Sequence, residues 1–315
     1  MIAFSLWFVG GLFVDGWAHT HNKVDQSFFT PWHAILYSGW MVTALFLVIT
    51  ALVNHQRGAT WRESVPMGYF PSLVGVGLFG LGGLGDMAWH IAFGIERGVE
   101  ALLSPTHLLL AVSMGLVASG PLRAAWQRPY SARVVDQLPM LLSVAFTLSV
   151  ITFFVQSTHP VTQLWGLDLL HYYRNDDFAA TALLLGMGIM VAAPLFILRW
   201  GQPIPGAFTL IYGINAAAMA FLNNIYPQKP VLAFVLAGAI LDMIGLIARP
   251  TPQRIWPWRI FAMSTPAVLL GVYFASLLLM GGIVWRIHFW LGIIVMSSML
   301  ALLISEAFGV GRDAR

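Results

Sequence analysis

Two stretches of this chain place Asp and His four residues apart and then return with a Ser/Thr-Pro-x-His. The first reads Asp15-Gly16-Trp17-Ala18-His19, followed by Thr30-Pro31-Trp32-His33. The second reads Asp86-Met87-Ala88-Trp89-His90, followed by Ser104-Pro105-Thr106-His107. Residues i and i+4 share a helix face, so each Asp points the same way as its His. Ser or Thr before Pro is a helix start, because the hydroxyl caps free N–H groups and Pro suits the first helical position. His33 and His107 therefore fall in the first turn of a returning helix, facing back across a hairpin. One carboxylate and two imidazoles converge twice, a donor set suited to copper, iron or zinc.

A single Asp–His pair at membrane depth is equally well a proton relay or a hydrogen-bonded structural pair. Repetition of the whole pattern favours metal binding, giving Asp15, His19, His33, Asp86, His90 and His107 as the expected ligands. Asp25 and Glu96, in the two intervening loops, are candidate outer partners that would orient the histidines. No catalytic base or electron-entry residue is legible. Asp242 and Glu306, near the ends of later apolar stretches, offer a weaker alternative as proton-carrying groups.

The elements that must hold these residues are membrane helices. Of 315 residues 58% are hydrophobic and 9% charged, where a soluble domain carries about 25% charged residues, so a water-soluble globule is excluded. With no Cys, disulfides, thiolate metal sites and iron–sulfur clusters are excluded as well. The net charge of +3 is too small and dispersed for a nucleic-acid surface. Apolar runs near the ~20 residues needed to cross a bilayer occur at about 2–18, 31–54, 67–93, 104–121, 137–156, 178–198, 205–223, 230–248, 260–281 and 287–308. The expected fold is thus an all-α, polytopic transmembrane helical bundle of about ten spans. Residues 1–121 form a four-span metal-binding module and 122–315 hold about six further helices. The first run lacks a basic leader region and runs into Asp15, so it reads as a span rather than a cleaved leader.

Alternating the spans from a cytoplasmic N-terminus puts eleven of the 16 Lys and Arg residues inside, among them Arg57, Arg62, Arg123, Arg128 and Arg133. This is the positive-inside bias, and it places both termini in the cytoplasm of a bacterial-type plasma membrane. Both Asp/His sets then face outward.

The stretch from Asp15 to His19, followed by Asp25-Gln26-Ser27-Phe28-Phe29-Thr30-Pro31-Trp32-His33 and Tyr37, resembles the C subunit of the copper membrane monooxygenases, which oxidise methane, ammonia or short alkanes. That subunit carries Asp-x-x-x-His and an Asp-containing Phe-Thr-Pro-x-His that bind a metal. Farther along it has Asn-x-x-x-His, then Phe and Glu, then Pro-x-His, implicated in a second copper site. Asp86, His90, Phe93, Glu96, Pro105 and His107 are similar in order, with Asp86 in place of Asn and a loop about three residues longer. The resemblance spans about residues 10–120. It implies a copper cofactor, O2 and a small apolar substrate, an electron donor, and companion subunits or a homo-oligomer. A transition-metal transporter or metal-delivery protein is the alternative; against it, the ligands cluster on one side of the membrane.

Overall fold

The computed structural model describes residues 1–23, 28–94, 98–163, 176–223 and 229–309. Among these the chain is helical throughout, without a strand. In order the helices are α1 (Ile2–Thr20), α2 (Pro31–Gln56), α3 (Trp61–Ser64), α4 (Phe70–Phe93), α5 (Val99–Leu103), α6 (Pro105–Ala118) and α7 (Gly120–Trp126). They continue with α8 (Val134–Phe154), α9 (Pro160–Gln163), α10 (Asp176–Trp200), α11 (Ala207–Leu222), α12 (Lys229–Ala248), α13 (Ile255–Met280) and α14 (Ile287–Gly309).

Eight of these are long and apolar enough to cross a membrane: α1, α2, α4, α8, α10, α12, α13 and α14. The protein is an all-α polytopic helical bundle. Two of the ten expected spans take a different form. The fourth is broken into α6 and α7, bent by 42°. Pro121 has no N–H for the ladder and crowds the carbonyl one turn back, while the Ser119 hydroxyl donates to the Gly115 carbonyl at 2.5 Å. The seventh, α11, has 16 residues, or about 24 Å at 1.5 Å per residue against a hydrocarbon core of ~30 Å. Its start is delayed by Pro203 and Pro205 and by Gly206, which sits at φ +89°.

Helix α2 illustrates why lipid is the solvent. Leu36, Gly39, Thr43, Leu47 and Ala51 form a buried stripe, while Met41, Leu45, Ile49 and Leu52 on the other side are exposed. Both faces are apolar, and such an outer face is stable only against hydrocarbon.

The contacts divide the chain into two compact units. The first contains residues 1–129, 138–154 and 221–223, and is built on two helical hairpins, α1 with α2 and α4 with α6, with α2 also packed on α4. The α1–α2 pair touches backbone to backbone. A Cβ at Gly11 would lie 2.7 Å from Leu36 Cα, and one at Gly39 would lie 2.8 Å from Phe8 Cα, the small-residue packing of membrane helices. At the base of the second hairpin the Arg123 guanidinium donates to the Gly68 and Leu116 carbonyls at 2.9 and 2.7 Å and to Ser72 Oγ at 2.8 Å. This ties the α6–α7 bend to the start of α4.

The second unit contains residues 130–137, 155–220 and 224–315, with α13 packed on α12 and α14 and α10 on α14 around buried Trp258, Phe261, Tyr273 and Phe274. Several of its polar groups satisfy one another. The Asp242 carboxylate accepts from the Phe208 and Thr209 N–H groups, both at 3.0 Å, and from the Thr209 hydroxyl at 2.6 Å, capping α11. Arg259 Nε donates to Glu306 at 2.7 Å. Both acids thus have structural partners.

Outside the spans, His159 is buried against the Phe234 ring. Its Nδ1 accepts from the Val161 N–H at 3.1 Å, and its Nε2 donates to Asn215 Oδ1 at 3.0 Å. Burial holds this imidazole down at about 4 from its ordinary 6.5. The unfolded chain therefore takes up the proton first as pH falls. The contribution of neutral His159 is complete above pH 6.5 and is lost progressively toward about 4. The thermal midpoint should decline across that window, and His159→Gln, whose amide does not titrate, should flatten the decline.

Candidate metal centre

Both returning helices begin as their sequences require. Thr30 Oγ1 accepts from the His33 N–H at 3.1 Å with Pro31 at the first helical position, and Ser104 Oγ accepts from the His107 N–H at 3.3 Å with Pro105. These caps fix where His33 and His107 leave the backbone, opposite the last turns of α1 and α4.

The six residues gather as two triads. Asp15, His19 and His33 each offer one ligand atom within 4.8 Å of the others, and so do Asp86, His90 and His107. In the first triad, Asp15 Oδ2 lies 3.5 Å from His33 Nε2 and 3.9 Å from His19 Nε2. In the second, Asp86 Oδ2 lies 3.4 Å from His90 Nε2, and Oδ1 lies 3.4 Å from His107 Nδ1. Donors around an ion with bonds of about 2.0–2.1 Å stand about 3.3 Å apart in a tetrahedron. The Asp86 contacts at 3.4 Å and the Asp15–His33 contact at 3.5 Å are already near that spacing.

The surroundings of His33 prepare it as a ligand. Its Nδ1 sits 2.5 Å from the Phe28 carbonyl, which can only accept. In the neutral imidazole the proton is therefore on Nδ1, and the Nε2 lone pair faces Asp15. His90 Nδ1 is turned to the Gly94 carbonyl at 3.3 Å, leaving its Nε2 toward Asp86.

The two triads differ in how their carboxylates are satisfied. Thr106 Oγ1 donates to Asp86 Oδ1 at 2.9 Å, and Ser104 Oγ holds His107 Nδ1 at 2.7 Å. The first copy has Trp32 where the second has Thr106. Asp15 Oδ1 is buried without a hydrogen-bond partner among the described residues. A buried carboxylate with one oxygen orphaned and the other facing two imidazole nitrogens is a donor set that a cation would complete. The donor chemistry, one oxygen and two nitrogens without sulfur, fits copper(II), iron(II) or zinc.

The triads are close enough to act on one another electrostatically. Asp86 and His90 lie within Coulomb range of Asp15, and Asp86, His90 and His107 within range of His19. Tyr37, one turn beyond His33, feels both carboxylates. Asp25 and Glu96 lie outside the described residues. His21 does not join a triad; its Nδ1 contacts the Trp17 carbonyl at 2.8 Å and its ring stacks on Trp17.

Thr106, the Phe28 carbonyl and Gly83 are parts of the site that pattern reading missed. Thr106 stood at the variable position of the Ser-Pro-x-His motif. Gly83 lay in a glycine run one turn before Asp86, a run whose purpose appears only when α2 packs on it.

The geometry makes Asp15 a cost to the metal-free fold. Asp15→Asn removes the buried charge and supplies an N–H₂ donor facing two imidazole nitrogens. The metal-free variant should unfold at a higher temperature than the parent, by the equivalent of about 1–3 kcal/mol, and it should no longer be stabilised by added metal. Thermal unfolding with and without chelator checks both.

No protein-family model, no curated protein and no solved structure matches this chain.

Proposed function

We propose that this membrane protein is a copper-dependent, monooxygenase-like oxidoreductase, or the metal-holding subunit of one, acting with O2 on a small apolar substrate. The observation that carries this reading is the first triad: a buried carboxylate with one oxygen lacking a partner among the described residues and the other facing two imidazole nitrogens. The resemblance of residues 10–120 to the C subunit of the copper membrane monooxygenases supplies the reaction class. In that class one oxygen atom of O2 enters the substrate, and the other leaves as water with two electrons from an external reductant and two protons.

Copper held by three protein ligands supplies one-electron redox chemistry and open positions for oxygen. The chain's own residues do the rest. Asp15 contributes negative charge that offsets the cation in a low-dielectric setting. The Phe28 carbonyl fixes the His33 tautomer and ring direction. Thr106 and Ser104 hold Asp86 and His107 in place. The exposed apolar faces of α2 and α4, including Leu81 and Leu84, border the hydrocarbon in which an apolar substrate concentrates. On this reading the protein resides in a bacterial-type plasma membrane with both termini cytoplasmic and the triads toward the outer face.

Metal analysis by mass spectrometry on protein in lipid nanodiscs is the test. Copper is expected at about one ion per intact triad, with His19→Ala/His33→Ala and His90→Ala/His107→Ala each removing one share, and oxygen uptake should follow copper content. Zinc in the same sites without oxygen uptake would move the reading to metal transport or delivery. A folded, copper-supplemented protein that holds no metal would overturn it.

A further inference from the structure

We propose that Tyr37 is the hydrogen-bond donor to the non-protein ligand of this metal centre, acting from between the two triads; the assignment rests on the metal reading above. Three protein donors leave coordination positions for small oxygen or anionic ligands. In a low-dielectric site the charge on such a ligand calls for a donor close by.

Most of the neighbouring hydroxyl and indole groups have partners of their own. Thr20 Oγ1 donates to the Trp17 and Leu222 carbonyls, and Thr106 donates to Asp86. Ser104 Oγ is paired with His107 Nδ1, and Thr30 Oγ1 accepts the His33 N–H as a helix cap. Trp32 Nε1 donates to the Lys23 carbonyl and Trp40 Nε1 to Val76. The Tyr37 hydroxyl makes no hydrogen bond to a described residue, although Asp15 and Asp86 both act on it.

Packing seats the phenol with little freedom. Its ring stands edge-on to His33 with centroids 6.2 Å apart and is flanked by Phe28 at 5.8 Å and Phe79 at 5.6 Å. The hydroxyl lies over Gly83, where a Cβ would come within 2.6 Å of Oη and 2.8 Å of Cε1. Gly83 is one helical turn before Asp86 on the same face of α4, and Tyr37 is one turn after His33 on α2. The phenol thus reaches from the helix of one triad to the helix of the other. The second copy has Ala111 at the position matching Tyr37, and the first has Leu12 at the position matching Gly83. The arrangement occurs once in the two copies, so the phenol offers one O–H to a single ligand between the triads.

The test uses the full chain in nanodiscs, reconstituted with copper(II), with azide as the probe. Copper is counted by mass spectrometry, and azide affinity is read from its charge-transfer absorption in wild type, Tyr37→Phe and Gly83→Ala. Tyr37→Phe should keep wild-type copper content and bind azide about tenfold more weakly, the scale of one hydrogen bond to a charged acceptor. Gly83→Ala retains the phenol but displaces it, and it should weaken azide in the same direction. If Gly83→Ala does not fold, Tyr37→Phe decides alone, since it removes one oxygen and no ring. Unchanged azide affinity in a copper-loaded Tyr37→Phe protein would overturn the assignment, and so would loss of copper, which would make Tyr37 a ligand or a purely structural group. A wild type without copper would instead be the failure of the metal reading itself.

Discussion

The first unit is organised around a largely buried carboxylate. An ionisable side chain at bilayer depth costs about 2.5–3.5 kcal/mol even on lenient insertion scales, and Asp15 is buried with one oxygen unpartnered among the described residues. Two imidazoles are delivered to its other oxygen. That delivery depends on the Thr30 cap, on Pro31, and on the glycines that let α1 and α2 touch at their backbones. The cost is incurred in the α1–α2 hairpin and is offset at its mouth, where charge chemistry can be put to use.

The second hairpin repeats the plan with a different balance. One residue, Thr106 in place of Trp32, turns an orphaned carboxylate into a hydrogen-bonded one. The Ser104 hydroxyl also occupies the His107 nitrogen that faces Asp86. The second triad is therefore internally satisfied, whereas the first leaves a polar atom open. Two copies of one motif have diverged in polarity while keeping the same backbone frame.

What the sequence made legible was local. The i, i+4 pairing of Asp and His, the Ser/Thr-Pro helix starts and the apolar runs all concern residues within one or two turns, and the helices and both triads assemble accordingly. What stayed hidden depended on distant partners. Whether Asp15 or Asp86 has a free oxygen depends on a side chain 20 residues away in the second copy. The seat of Tyr37 on Gly83 needs α2 against α4, across 46 positions. Asp242, read as a charge near a helix end, caps a helix whose first turn lies 33 or 34 residues upstream. The 42° break at Pro121 and the late start of α11 after Pro205 show how single prolines shorten spans that hydropathy alone reads as continuous.

The placement of the ligands has a consequence for the chain as a polymer. His19 and His33 bracket the first connecting segment, and His90 and His107 bracket the second. An ion shared across either mouth is thus a loop-closing cross-link in a chain that has no cysteine to make one. The enclosed loops, 14 and 17 positions long, are short enough that closing them adds little entropy cost. Unlike a disulfide, this staple would be independent of redox enzymes and removable by a chelator. Its presence would then follow the availability of metal rather than of oxidant.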